Sequence, residues 1–471
     1  MLCVAPAAAE TLREALTKAY NTNPTLTGAR AGQRATDENV PIARSRGRPT
    51  ADLAGQVTEN LIISSTNFFS PKRIASGRAT LNVPLYHGGG VKNAIRAADA
   101  RVDAGQANLR GTESGLFSQV VAAYLDVIRD GSIATLNAKQ VQVLSKNLEA
   151  TRDRFEVGDL TRTDIAQSES RLALARSQLQ TAEAQLIASR ERYIQLVGDV
   201  PTALEEPPQL PNLPDNPEVA VDKALENNPD LLAAKKNADA ARFDIKTTRA
   251  ATLPRISATA DRSYANFLNS APGAPATVNN PNPLRPPNTS NTSQAGVQFT
   301  LPLYAGGQVS AQVRQAQARS SQAIEAIVAA ERDVVSQTRT AYASWRASNE
   351  VIVSSDVAVK AAALSLEGVR AENSVGNRTI LDILNAEQEL LNAQVQLVGA
   401  RRNAYVAGFT LLAAMGQAEA RDLGLDGGVL YDPEVNYKRV KGRFLDFQED
   451  KVGPPVATRT VDTPAQNPPK R

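Results

Sequence analysis

The stretch Asn373-Ser374-Val375-Gly376-Asn377-Arg378-Thr379-Ile380-Leu381-Asp382-Ile383-Leu384-Asn385 decides the fold. It lies between two long helical patterns, and Val375-Gly376 is where they must reverse. A second version stands upstream as Glu156-Val157-Gly158-Asp159-Leu160-Thr161-Arg162-Thr163-Asp164-Ile165. Gly158 and Gly376, Thr161 and Thr379, Asp164 and Asp382, and Ile165 and Ile383 are each 218 positions apart. The chain is a tandem duplication, so its architecture has to serve both copies.

Outward from each turn the helical pattern is long. No proline occurs between Pro84 and Pro201 or between Pro302 and Pro433, so nothing forces a break. Val91 to Phe155 predicts a helix of about 100 Å and Thr161 to Val197 a return leg of about 55 Å, at 1.5 Å per residue. Helices this long need lateral partners along their whole length, as in a coiled coil. Ile165, Leu172, Leu179 and Leu186 recur every seventh position, and Ile383, Leu390 and Leu397 repeat the seam. Ala173, Ala175, Ala182 and Ala184 flank the first seam and let helices approach on both sides. A helix with two seams joins a wall of helices rather than a single pair.

Further upstream the period changes to two. Leu53, Gly55 and Val57 alternate with Ala54, Gln56 and Thr58, and Ala79, Leu81, Val83 and Leu85 with Arg78, Thr80 and Asn82. In the second copy Ala295, Val297, Phe299, Leu301 and Leu303 alternate with Gly296, Gln298 and Thr300. The fourth segment, from Arg255 to Phe267, carries Asp261 and Arg262 in mid-run. Strands of about ten residues with one apolar and one polar face suit an outer-membrane barrel; a soluble sheet edge is the plainer reading. Four strands cannot close a barrel alone, so the barrel requires other subunits. Each hairpin ends in Pro-Leu-Tyr-x-Gly-Gly, at Pro84 to Gly89 and Pro302 to Gly307, a glycine corner into the following helix. It lacks the spacing and lysine of a phosphate loop. His87 has Ala305 as its counterpart, which favours a structural role.

The copies then divide the chain. Residues 1–9, with Ala7 and Ala9 in A-x-A places, read as the remnant of a signal peptide. The first repeat spans 10–200, with strands at 50–63 and 74–86 and a helical hairpin at 88–198 whose tip is 157–162. Residues 201–217 are a proline-rich linker running outside the helical body. The second repeat spans 218–424, with strands at 255–267 and 294–304 and a hairpin at 306–415 whose tip is 375–380. Asn23-Pro24 and Asn228-Pro229 match at an offset of 205. The extra residues of the second copy therefore fall in the polar run from Pro272 to Ser293. Residues 425–471 read as a polar, disordered tail.

Composition narrows the function classes. Aromatics are 4% of the 471 residues and the net charge is +3, which excludes a thick aromatic core and gives no nucleic-acid footprint. One cysteine (Cys3) and one histidine (His87) leave no disulfide framework, metal cluster or duplicated nucleophile–base pair. No cofactor and no enzymatic activity are expected. No apolar run reaches the roughly 18 residues of a spanning helix, so a membrane can be crossed only by strands.

The order and duplication of these pieces resemble the TolC-like outer-membrane efflux family. Ser374 to Asn385 lies close to that family's S-V-G-x-R-T-x-x-D-V-L-[DN], and the Asn-Pro pairs and the Pro-Leu-Tyr-x-Gly-Gly corners also fit. The resemblance covers Glu10 to Gly424. It implies an α+β membrane protein in which a homotrimer forms a 12-stranded outer-membrane β-barrel, continuous with a periplasmic α-helical barrel. The implied role is a passive conduit of a Gram-negative bacterium, exporting small molecules or polypeptides. Its implied partners are outer-membrane lipid, a periplasmic membrane-fusion adaptor and an inner-membrane transporter of RND, ABC or MFS type. The alternative is a periplasmic coiled-coil adaptor or scaffold.

By the same resemblance Val157, Gly158, Val375 and Gly376 form the periplasmic tip, and loops near Phe68-Phe69 and Ala271 to Thr292 face outward. Arg378 would latch the tip to Asp164 and Thr163. Against this stands a solvated surface charge, worth at most about 1 kcal/mol. Asp382 lies four residues past Arg378 and would form a carboxylate ring selecting cations. The family often has a second acid where this chain has Asn385, and a tyrosine where it has Asn373, so a double ring and a strong latch network are both weakened.

Overall fold

A computed structural model describes residues 9–63, 70–211, 213–270, 287–425 and 430–467. Residues 1–8 of the signal-peptide remnant, the outward loop at Phe68-Phe69 and residues 271–286 of the loop expected from Ala271 to Thr292 therefore lie outside the described residues; the last four residues of that expected loop, from Thr289, belong to a strand instead. Both halves fold alike. The first runs α1 (Leu12–Thr22), α2 (Pro24–Asp37), α3 (Asn39–Ser45), β1 (Thr50–Glu59), β2 (Arg73–His87), α4 (Gly90–Glu156) and α5 (Arg162–Val197). The second runs α6 (Pro217–Asn227), α7 (Pro229–Arg249), β3 (Arg255–Asn266), β4 (Thr289–Thr300), α8 (Gln308–Ser374) and α9 (Ile380–Ala414), and α10 (Pro433–Val440) follows.

The duplication extends to individual bonds. Asn23 and Asn228 end one helix and cap the next, each accepting a backbone N–H with its side-chain oxygen. Their amides donate to Leu196 O at 2.8 Å and to Ala414 O at 3.0 Å, two carbonyls 218 positions apart. Asn-Pro suits this spot because the asparagine supplies the cap and proline needs no partner at the first helical position. Tyr124 and Tyr342, also 218 apart, each donate to a carbonyl of the inter-repeat segment, Glu205 O at 2.6 Å and Asp215 O at 2.6 Å. Gly89 and Gly307 open α4 and α8 at φ 77° and 80°, a left-handed conformation that glycine adopts without cost.

The four strands form one antiparallel sheet in the order β1-β2-β3-β4. Register sorts the side chains by face. Ala51, Leu81, Ala260 and Ala295 align across it, as do Val83, Ala258 and Val297, giving a largely apolar face that the row Leu53, Ala79, Arg262 and Ser293 interrupts. Asp52, Thr80, Asp261 and Gln294 align on the other, where Arg78 pairs with Asp261 at 3.1 Å. The polar interruption at Asp261 is thereby satisfied on the polar side. Leu53 is 85% exposed, Val57 77% and Phe299 62%, so the apolar face is uncovered. Strand β4 ends at Thr300, short of the expected 304, whereas β2 continues through Pro84 across a bulge to His87.

Helices α4 and α8 are 67 residues each and pack against their return legs α5 and α9. The main core gathers where α1 meets α4, α5 and α9. Phe117, Tyr124, Tyr193, Phe409, Leu412 and Met415 are buried there, each large side chain contributing roughly 2 kcal/mol or more. Below this belt the helices bury narrow seams, such as Leu144, Leu148, Leu172 and Leu384. No described helix is long and apolar enough to cross a membrane.

Two expectations need correction. The linker does not run free of the body. Leu204, Leu210 and Leu213 pack on the main core, Glu10 N donates to Ala203 O at 2.7 Å, and Glu205 N returns a bond to Glu10 O at 3.1 Å. The polar C-terminal segment is also ordered in part. Helix α10 starts on an Asp432 cap with Pro433 at its first position. It is tied down by Asn436 to Asp37 at 2.7 Å and Tyr437 to Asp99 at 2.8 Å.

Candidate functional site

The tip of each hairpin is made by a glycine in the left-handed region, Gly158 at φ 86° and Gly376 at φ 84°. Beside them Val157 and Val375 are 80% and 70% exposed. A β-carbon at either glycine would meet nothing within 4 Å, so glycine is there for its backbone and not for space. These four residues lie between α4 and α5 and between α8 and α9.

After each turn the helix restarts on a reciprocal cap. Thr161 Oγ1 accepts from Asp164 N, and Asp164 Oδ2 accepts from Thr161 N at 2.9 Å and from its hydroxyl at 2.7 Å. Thr379 and Asp382 repeat the arrangement at 2.9 and 2.8 Å. The Thr161 hydroxyl, and then its N–H, holds the Asp164 carboxyl below the usual range; for Asp382 the Thr379 N–H leads. Both acids are thus charged cap residues at a helix N-terminus, where negative charge is favoured. The pattern Thr-x-x-Asp announces this in both copies; reading Asp382 only as a pore group overlooks it.

Arg378 Nε donates to Glu372 Oε2 at 2.7 Å, inside its own hairpin, and this pair raises the guanidinium pKa. Within one chain no hydrogen bond or ion pair joins Arg378 to Asp164 or Thr163. Asn373, in place of the family's tyrosine, donates to Arg378 O at 2.7 Å and closes the turn. Asn385 accepts from Arg171 at 2.8 Å, so its side chain serves a contact between α5 and α9.

One buried carboxylate above the tip escapes sequence reasoning altogether. Glu387 is 3% exposed. Both its oxygens lie 3.0 Å from the Asn147 amide of α4, and Oε1 also accepts from Arg370 of α8 at 2.9 Å. A carboxylate this buried persists only when paired and hydrogen-bonded, and here partners from both hairpins supply that. Its counterpart in the first copy, Glu169 with Arg152 at 2.6 Å, is 49% exposed. The sole available clue was that Glu387 falls among the apolar seam positions of α9.

The geometry is that of a wall: an open sheet with two free edges, continued by helices whose lower ends are tightly turned and charged. Comparison with known proteins agrees. A family model described as "Outer membrane efflux protein" matches residues 15–199 and 220–417. The outer membrane efflux protein BepC of Brucella suis biovar 1 (strain 1330) is 35% identical over 444 residues, covering 94% of this chain and 93% of BepC. The outer membrane protein TolC of Escherichia coli (strain K12) is 26% identical over 426 residues, 88% of this chain and 84% of TolC. Among solved structures, the outer membrane protein VceC of Vibrio cholerae superposes with a TM-score of 0.71 at 21% identity, over 86% of this chain and 96% of VceC.

Proposed function

This chain belongs to the outer membrane efflux protein family, and we propose that three copies of it close into a passive export conduit gated at the periplasmic tip. That it is an outer-membrane efflux channel follows from the family. The trimer, the gate and the partners are the proposal. One observation carries it. The four-stranded sheet leaves β1 and β4 as free edges and exposes Leu53, Val57, Val297 and Phe299 on one face. Exposed strand edges are not tolerated in a bilayer, so the edges have to meet other chains. Three such sheets supply twelve strands, lipid outside and the Asp52–Gln294 face inside.

The helical hairpins extend the same wall below the membrane, where an adaptor and an inner-membrane transporter of RND, ABC or MFS type would supply cargo and energy. At the tip, Arg378 is 49% exposed with only its Nε engaged by Glu372. Its remaining donors are free to reach Asp164 and Thr163 of a neighbouring chain, which is the latch reading. Asp382 keeps one oxygen outside its capping bonds, and three copies would present a ring of those oxygens. Asn385 is committed to Arg171 and adds no charge to it.

Detergent-purified protein should have the mass of three chains and conduct in a planar bilayer; a monomer would end the proposal. Arg378→Glu should raise single-channel conductance, and unchanged conductance removes the latch. Asp382→Ala should weaken block by trivalent cations, and undiminished block removes the ring.

A further inference from the structure

We propose that the lipid-facing side of the β3–β4 hairpin binds a phosphorylated glycolipid of the outer leaflet, with Arg262 holding its phosphate. This rests on the three-chain barrel reading above, which turns the largely apolar face of the sheet toward lipid.

The strand register leaves one charge unpaired on that face. There β3 presents Ile256, Ala258, Ala260, Arg262, Tyr264 and Asn266 in turn. Arg262 stands across from Ala79 on one side and Ser293 on the other. It is exposed, and among the described residues it has neither a hydrogen-bond nor an ion-pair partner. The other charges on this face, Glu59 and Arg73, neutralise each other at 3.1 Å.

A cation among lipid tails is costly, and most so at mid-depth. Arg262 lies four residues from Asn266, the loop end of its strand. That is about 10 Å of depth, at about 3.4 Å per residue and a tilt of about 40°. The aliphatic stem of an arginine covers much of that distance and brings the guanidinium toward the headgroups. Helices leave the sheet only from the opposite ends of the strands, and they hang below the membrane in the reading above. The loop ends therefore face outward, and the headgroups that Arg262 meets belong to the outer leaflet.

The surroundings fit a sugar phosphate better than a bare ion. Beside Arg262 the same face carries Tyr264, Asn291 and Ser293, whose hydroxyls and amide hydrogen-bond sugar oxygens. At these two levels β1 and β2 carry only Leu53 with Ala79 and Gly55 with Gly77. The two glycines oppose each other, and Gly77 also opposes Tyr264. A β-carbon on either glycine would meet nothing within 4 Å, so the tyrosine ring does not cover the bare backbone. Open glycine in a strand marks a place where another molecule comes close. Here it makes a shallow trough beside Arg262 that leads past Ala79 to Leu81 and Val83, an apolar path for an acyl chain. The planar guanidinium matches a phosphate with two parallel hydrogen bonds. Phosphate, sugar and acyl chain side by side describe one ligand class, a phosphoglycolipid.

The test is native mass spectrometry of the detergent-purified protein with three probes: diphosphorylated lipid A, its phosphate-free form and phosphatidylglycerol. Wild type should bind diphosphorylated lipid A about tenfold or more tightly than either other probe. Arg262→Leu should lose about tenfold or more of that affinity, the worth of one charge-assisted contact. It places an apolar side chain on a lipid-facing position, so the barrel still forms. Gly77→Val fills the trough and should weaken binding about threefold or more with the arginine in place. Equal affinity of wild type and Arg262→Leu, or no binding of lipid A by wild type, overturns the site. Equal affinity for phosphatidylglycerol overturns the glycolipid, and unchanged binding in Gly77→Val overturns the trough. A mass of one chain fails the three-chain reading and takes this inference with it, whereas a trimer indifferent to Arg262→Leu sinks this inference alone.

Discussion

The Glu387 contact makes a prediction about which partner matters more. Its carboxylate is 2% exposed, while the Arg370 guanidinium beside it is 51% exposed. Arg370→Ala strands a buried charge with one amide for company, and breaking a buried pair from that side costs about 3 kcal/mol. Glu387→Ala leaves Arg370 free to return to water, so its cost is close to the lost charge-assisted bonds alone, about 1.5 kcal/mol. At 1.36 kcal/mol per factor of ten, these correspond to roughly a hundredfold and roughly a tenfold rise in local opening. The double variant should behave like Glu387→Ala, because the penalty of Arg370→Ala exists only while the carboxylate is there. Hydrogen exchange of the amides from Ile383 to Leu391, read by mass spectrometry on detergent-solubilised protein, reports that opening directly. If Glu387→Ala accelerates exchange as much as Arg370→Ala, or the double variant adds the two effects, the reasoning is wrong.

Three other outcomes follow from the same structure. Asn228→Ala removes a buried cap and its bond to Ala414 O and should lower stability by about 2 kcal/mol, against about 1 kcal/mol or less for the exposed cap Asn216; urea midpoints compare them. Gly416→Ala places a β-carbon 2.4 Å from Asn227 O at φ 69°, and should abolish protease-resistant protein in the outer-membrane fraction. Gly376→Ala, with open space around it, should cost only about 1–2 kcal/mol and accumulate normally. Acid should loosen the tip. Asp164 and Asp382 are held low by their caps, so the stability they contribute is present above the usual carboxylate range and is lost as pH falls through their folded values. Glu113 and Glu419, at the belt, are pushed up by burial, so their contribution is present in acid and lost as pH rises through their folded values. Proteolysis at Val157 and Val375 should therefore rise in acid, and Thr161→Val with Thr379→Val should move that rise to higher pH.

Much of the architecture was legible because it is local. A glycine turn, a change of hydrophobic period from 3.6 to 2 and an Asn-Pro cap each announce themselves within a few residues, and the duplication states them twice. What the sequence hid is non-local. Asn147 and Glu387 are 240 positions apart, and neither breaks its local pattern enough to nominate a partner. Asp382 was readable as a cap from Thr379, yet its chemistry as an acid near a reversal drew attention to the pore instead. The C-terminal segment is too polar and proline-rich to look ordered. Its helix rests on Asp37 and Asp99, 399 and 338 positions away, although Asp432-Pro433 does carry the start signal of a helix.

The bond between Glu10 N and Ala203 O brings the beginning of the first repeat against the start of the linker that follows it. A half-length ancestor with this contact would have carried its two termini side by side. Fusing two gene copies head to tail then required only a short proline-rich bridge and no rearrangement of either unit. If three chains close the ring as proposed, an unfused ancestor would have needed six identical halves to do the same. Every later difference between the halves, Glu387 against Glu169 among them, became possible only once the two were written separately in one gene.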